Sequence, residues 1–124
     1  METKEINTAA WAKFCGKLQE IRPRTRLTIE RVDRNGHQVR VVNNLELREA
    51  RLNRNDDACN DILNFTLTED NGEAVEYAIT EPIHIKLRQE DSDRYNEIEI
   101  IAEDGTHILS ARPGFRQDLI GDLT

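Results

Sequence analysis

Residues 74–111 alternate apolar and polar side chains through four successive segments, with a turn signal at each join. Val75, Tyr77 and Ile79 share one face of the first segment, Ile83, Ile85 and Leu87 one face of the second, and Ile98 and Ile100 one face of the third. A period of two is the signature of a strand buried on one side. The joins, Glu81-Pro82, a polar turn and Asp104-Gly105, are too short to hold a crossover helix, so consecutive segments must pair antiparallel. That constraint excludes alternating β-α units and makes residues 74–111 the sheet that the rest of the chain covers or extends.

The first half supplies the cover and more strands. Thr8 is placed to cap a helix, and Trp11, Phe14, Cys15, Leu18 and Ile21 then recur at helical spacing, which gives one apolar stripe. The helix ends before Pro23, because a residue preceding proline resists the helical conformation. A strand over residues 25–32 faces Leu27 and Ile29 inward, and Asn35-Gly36 turns it into a return strand over residues 37–42. Asn43-Asn44 reads as a break, after which residues 45–52 form a third strand and residues 62–68 a fourth, with Leu63, Phe65 and Leu67 inward. Residues 1–7 read as a loose leader. Pro113-Gly114 stops the last strand, leaving residues 112–124 as a C-terminal strap or tail in which Phe115, Leu119 and Ile120 pack back. The expected fold is α+β: one N-terminal amphipathic helix on a curled antiparallel sheet, or small open β-barrel, of seven to eight short strands.

The 124 residues suit one domain, 1–124, with a real core. No apolar run approaches the ~20 residues that a membrane helix needs. The first residues lack the basic-then-apolar order of a secretory signal, so a cytoplasmic location is expected, with Cys15 and Cys59 as reduced thiols. The formal charge of -7 argues against general affinity for nucleic acid or acidic membranes. The charge is uneven, however. Residues 19–54 hold nine arginines against five carboxylates, a balance of +4, so the remainder carries -11 of the net -7.

Several short elements together resemble a family of small uncharacterised bacterial domains of unknown function. They are Trp11 and Phe14 in the helix, Ile79-Thr80-Glu81-Pro82, the pair Ile98 and Ile100, and the turn Asp104-Gly105-Thr106. The resemblance implies a helix followed by an antiparallel meander. It implies no activity.

No catalytic, cofactor or metal constellation assembles from the spacing. His37, His84 and His107 fall in three strands and read as exposed sheet-face residues, with only His84 and His107 positioned to approach each other. Asp91-Ser92-Asp93 starts like a calcium loop, but Asn96 and Ala102 stand where the loop needs glycine and glutamate. Asp56, Asp57 and Asp61 read as loop solvation. Cys15 lies on the apolar stripe and reads as core, while acidic neighbours of Cys59 would raise its pKa. What stands out is basic: Arg22, Arg24 and Arg26 alternate at the helix exit and Arg40 follows, a candidate contact for an anion or a partner.

The sequence therefore names no function. The leading expectation is a non-catalytic cytosolic interaction module without cofactors, binding an unknown protein partner or a second copy of itself as a homodimer. The alternatives are nucleic-acid or phosphate binding through the basic patch, and a small-ligand site or enzyme in the barrel interior.

Overall fold

The computed structural model describes residues 2–21, 24–54, 61–89 and 94–116. In chain order it contains β1 (Glu2–Glu5), a 3-10 turn (Thr8–Ala10), α1 (Trp11–Glu20), β2 (Arg26–Val32), β3 (Gln38–Asn53), β4 (Ile62–Thr68), β5 (Ala74–Thr80), β6 (Pro82–Gln89), β7 (Arg94–Ala102) and β8 (Gly105–Arg116). All eight strands belong to one sheet of order β1-β6-β7-β8-β2-β3-β4-β5, and every neighbouring pair is antiparallel. The sheet is open: β1 and β5 are its edges, and no ladder joins them. The α+β expectation holds, in its curled-sheet form rather than as a closed barrel.

Two features curl the sheet. The first is the joint between β5 and β6, which are consecutive in the chain yet stand near opposite ends of the order. Glu81 alone connects them. It takes a left-handed backbone (φ 50), donates its N–H to Asp61 O at 2.8 Å and accepts from Glu103 N at 3.2 Å. Holding a non-glycine residue there costs free energy, which these backbone bonds offset. The second feature is β3. Its ladders slip at three places, between Leu27 and Ile29, between Ile29 and Glu30, and between Leu47 and Glu49, and each time the extra residue lies on β3. Bulges bend the strand that carries them and raise its twist. Asn43-Asn44, expected as a break, is one of these bulges inside a continuous strand, with Asn44 at φ 54.

Both chain ends depart from expectation. Within the expected loose leader, residues 1–7, the described residues 2–7 are ordered into the fold: β1 pairs with β6, Ile6 N–H donates to Ile85 O at 2.8 Å, and Ile6 is buried. The backbone of β1 finds acceptors along β6, and Ile6 places an apolar side chain in the core. At the other end Pro113-Gly114 does not stop β8. The strand stays paired with β2 to Arg112 and rejoins β7 where Phe115 faces Tyr95. Gly114 permits that crossing, since a Cβ there would meet Tyr95 O at 2.5 Å. Leu119, Ile120 and the rest of 117–124 lie outside the described residues.

Helix α1 packs on β3 through the expected stripe, with Trp11, Phe14, Cys15 and Leu18 buried and Ile21 half-buried against the core. Thr8 does not cap α1, whose N-cap position, Ala10, makes no side-chain cap bond; Asn7 caps the preceding 3-10 turn, its Oδ1 accepting from Ala9 N at 3.0 Å. The Trp11 indole donates to Ile6 O at 3.1 Å, so the helix and the end of β1 fix each other. Opposite the helix, inward residues of adjacent strands line up in register, as in the row Leu87, Ile98, Leu109, Ile29 and Val42. All five are buried.

Candidate functional site

The arginines expected as a binding patch are placed by β2 and β3, and two of them turn into the fold. Arg24 Nη1 donates to Arg48 O at 2.8 Å and Leu47 O at 3.4 Å, and its Nε lies 3.8 Å from Glu46. Arg26 Nη2 donates to Asn44 O at 2.8 Å and to Asp70 at 3.0 Å. These guanidinium groups bind the carbonyls of Arg48 and Asn44, residues that the ladders skip at the bulges of β3. The neighbouring cations are occupied too, Arg31 by Asp104 at 2.8 Å and Arg34 by Glu103 at 3.3 Å. Arg40 differs, being exposed and without an ion pair to any described residue. Arg22 lies outside the described residues, as do Asp56, Asp57, Cys59 and Asp91-Ser92-Asp93. Arg24, Arg26 and Arg40 thus do not converge on one anion site.

The histidines also separate. His84 is on the outer side, with Nδ1 3.0 Å from Glu5, and His37 lies at the exposed turn beside Asp33 at 3.4 Å. His107 does the opposite of what was expected and is buried at 2% exposure. Register explains the split: His84 pairs with Ile101 and Ile101 with Thr106, so His84 shares a face with Thr106 and not with His107. His107 instead lies in register with buried Ile100 and Ile85, and exposed Arg31 continues the row on β2.

A polar chain runs outward from this histidine. Its Nε2 donates to Asp104 Oδ1 at 3.1 Å, Asp104 Oδ2 accepts from Arg31, and Nδ1 accepts from the Tyr77 hydroxyl. The Tyr77 and His107 rings meet edge to face at 5.6 Å between centroids. Burial pushes the Tyr77 phenol above its ordinary pKa, the Arg31 charge opposing and the Asp104 charge adding. The phenol therefore keeps its proton at neutral pH and donates. Beside Asp104 an open groove of about 490 Å³ is lined by Arg34, Ile62, Thr80, Glu81, Glu103 and Asp104. Tyr77 and His107 do not line it. Among the described residues no three His, Cys, Asp or Glu side chains converge to hold a metal ion. The chain of hydrogen bonds satisfies a buried imidazole and ties β5 to β8.

A third feature escaped the sequence altogether. β3 pairs with β2 from Gln38 onward but with β4 only from Glu46 onward. Residues 38–44 are therefore unpaired, among the described residues, on the side away from β2. Every one of them except Val42 is exposed, and Val39 and Val41 are 58% and 45% exposed. Simple alternation sets both valines on one face of the return strand. Val41 is the residue inserted between Arg40 and Val42, whereas Val39 keeps its register opposite Arg31 and is exposed because no described strand lies beyond it on the side away from β2. The β2–β3 hairpin projects beyond β4 with an open backbone edge.

A family model matches residues 2–118, which is nearly the whole chain. The chain belongs to DUF5335, a family of unknown function. The expected kinship with an uncharacterised family is thereby met, and DUF5335 membership brings no reaction or ligand with it. No curated protein and no solved structure matches. Among the described residues of this DUF5335 chain, no helix is long and apolar enough to cross a membrane.

Proposed function

We propose that the chain is a non-catalytic, cytoplasmic interaction module that binds protein by accepting an added strand along the free half of β3. One observation carries this reading: residues 38–44, all exposed but Val42, are apolar at Val39 and Val41 and open on one edge among the described residues. An open edge offers a row of N–H and C=O groups to any extended chain, and protein edges are ordinarily guarded by charge, proline or short length. Here Arg40 is the one charged side chain in the segment. The nucleic-acid reading is weaker, since Arg24 and Arg26 spend their donors within the fold. A cytoplasmic setting accords with Cys15 held as a free buried thiol.

Amide hydrogen exchange tests the reading. In dilute purified protein the outward amides of residues 38–44 should exchange rapidly. In concentrated protein, or with extract of the source cell, they should become protected while the edges β1 and β5 do not. Unchanged rapid exchange under both conditions would refute a docking role for this edge.

A further inference from the structure

The geometry points to a second copy of the chain as the occupant of this edge, paired antiparallel about a two-fold axis between the two Val39 residues; the inference rests on the strand-docking reading above. Among the described residues the outer edges β1 and β5 and the free half of β3 differ in charge. β1 carries Glu2 and Glu5 against the one cation Lys4, and β5 carries Glu76 with no cation, whereas residues 38–44 contain Arg40 and no carboxylate. For a chain of net charge -7, two copies meet at the lowest electrostatic cost along the segment without acids.

Backbone direction then selects the register. Asp33 N–H donates to His37 O at 3.0 Å and closes the hairpin with a bonded pair. Bonded and non-bonded pairs alternate along an antiparallel ladder. Arg31 and Val39 are thus bonded to each other, while Val32–Gln38 and Glu30–Arg40 are not. Gln38 and Arg40 aim their N–H and C=O groups away from β2, at the open edge. Beyond Arg40 the bulge at Val41 breaks the alternation.

Two symmetric registers match these outward groups within the regular stretch. Centring on Arg40 sets two guanidinium-bearing residues directly opposite, and like charges in that position destabilise a ladder. Centring on Val39 pairs Gln38 with Arg40 of the other copy and brings valine against valine at a non-bonded position. There Cα atoms approach to about 4.5 Å, the closest spacing in a sheet. The second register keeps every outward bond of the regular stretch and moves the two Arg40 residues from directly opposite to the more distant diagonal position, which weakens their repulsion. Its small contact area places it among weak, transient associations.

The test uses the full chain with Cys59→Ser and adds Val39→Cys, Arg40→Cys or Val41→Cys one at a time, each checked for folding by circular dichroism. The spacing at Val39 suits a disulfide, for which Cα atoms lie about 4.4–6.8 Å apart. Under mild oxidation at high concentration, Val39→Cys should give a linked dimer several-fold faster than the other two. Light scattering should show the mass rising between about 1 μM and about 1 mM. Added salt should strengthen the association, because it screens repulsion between two acidic chains. Faster linking at position 40 or 41 would overturn the register and leave the edge in use. A constant monomer mass with no linking would overturn self-pairing, and exchange protection in cell extract would then show that the edge serves another protein.

Discussion

The Tyr77 hydroxyl on β5 donates to Nδ1 of buried His107 on β8, joining two strands that are not neighbours in the sheet. This side-chain bond holds an edge strand against the middle of the sheet where no ladder can. Tyr77→Phe keeps the ring but strands a buried acceptor. It should lower unfolding free energy by about 1–3 kcal/mol in a urea titration, with faster amide exchange in β5 than elsewhere. A loss near zero would mean that the ring contact alone positions β5.

The same phenol makes stability depend on alkaline pH. Burial raises its folded pKa above the ordinary 10.0. A group raised on folding contributes in full below the unfolded value, and that contribution is lost as pH rises through the folded one. Wild-type stability should therefore fall above about pH 10 more steeply than that of Tyr77→Phe. The difference between the two curves isolates the contribution of Tyr77.

Trp11 is 2% exposed and bonded to Ile6 O, so it anchors both α1 and the end of β1. Trp11→Ala should cost about 3–5 kcal/mol, read from the denaturant midpoint at unchanged slope. A small effect would separate the helix from the core.

Cys15 offers a chemical check on the same packing. Burial pushes its thiol up to about 11, and only the thiolate is nucleophilic. Peptide-level mass spectrometry should find Cys15 nearly unlabelled by iodoacetamide in the native protein at pH 7.5, and fully labelled in denaturant. Native labelling at the rate of an open thiol would place α1 off the sheet.

Arg24 and Arg26 separate structure from binding. Arg24→Ala and Arg26→Ala each remove donors from β3 carbonyls and should cost about 1 kcal/mol by urea titration. Retention on heparin at physiological salt should not change. A clear drop in retention would restore the basic-patch reading.

Much of the architecture is legible in the residues themselves. The helical stripe from Trp11 to Leu18 and the inward sets Leu63, Phe65, Leu67 and Ile98, Ile100 all fall where periodicity places them. Each element is regular, so local alternation fixes its face. Failures cluster at irregular points. Val41 and Ile83 alternate like core residues but lie at bulges and are exposed, and Val39 is exposed where no described strand lies beyond it. An inserted residue leaves no mark in composition. β1 was missed because Glu2, Thr3, Lys4 and Glu5 show no apolar alternation, and its pairing is decided by the strand it meets.

The site was less legible than the fold. That Tyr77 faces inward follows from its strand, but its partner lies 30 residues on, behind a turn. Nothing local identifies which inward position of β8 it reaches. Arg24 and Arg26 look like a surface patch until the bulged carbonyls they bind are in place. The open edge of β3 depends on where β4 begins to pair, which is a property of register between distant segments.

The strand order also divides the work of folding. β2 through β5 pair in sequence, as do β6 through β8, each strand with the next along the chain. The ladder between β2 and β8, where Arg31 faces His107, is the long-range seam that unites them. Two meanders can zip quickly and independently, yet neither has a finished core until that seam closes across most of the polypeptide. Docking of preformed halves, with its large loss of chain freedom, then sets the pace at which the native state is reached.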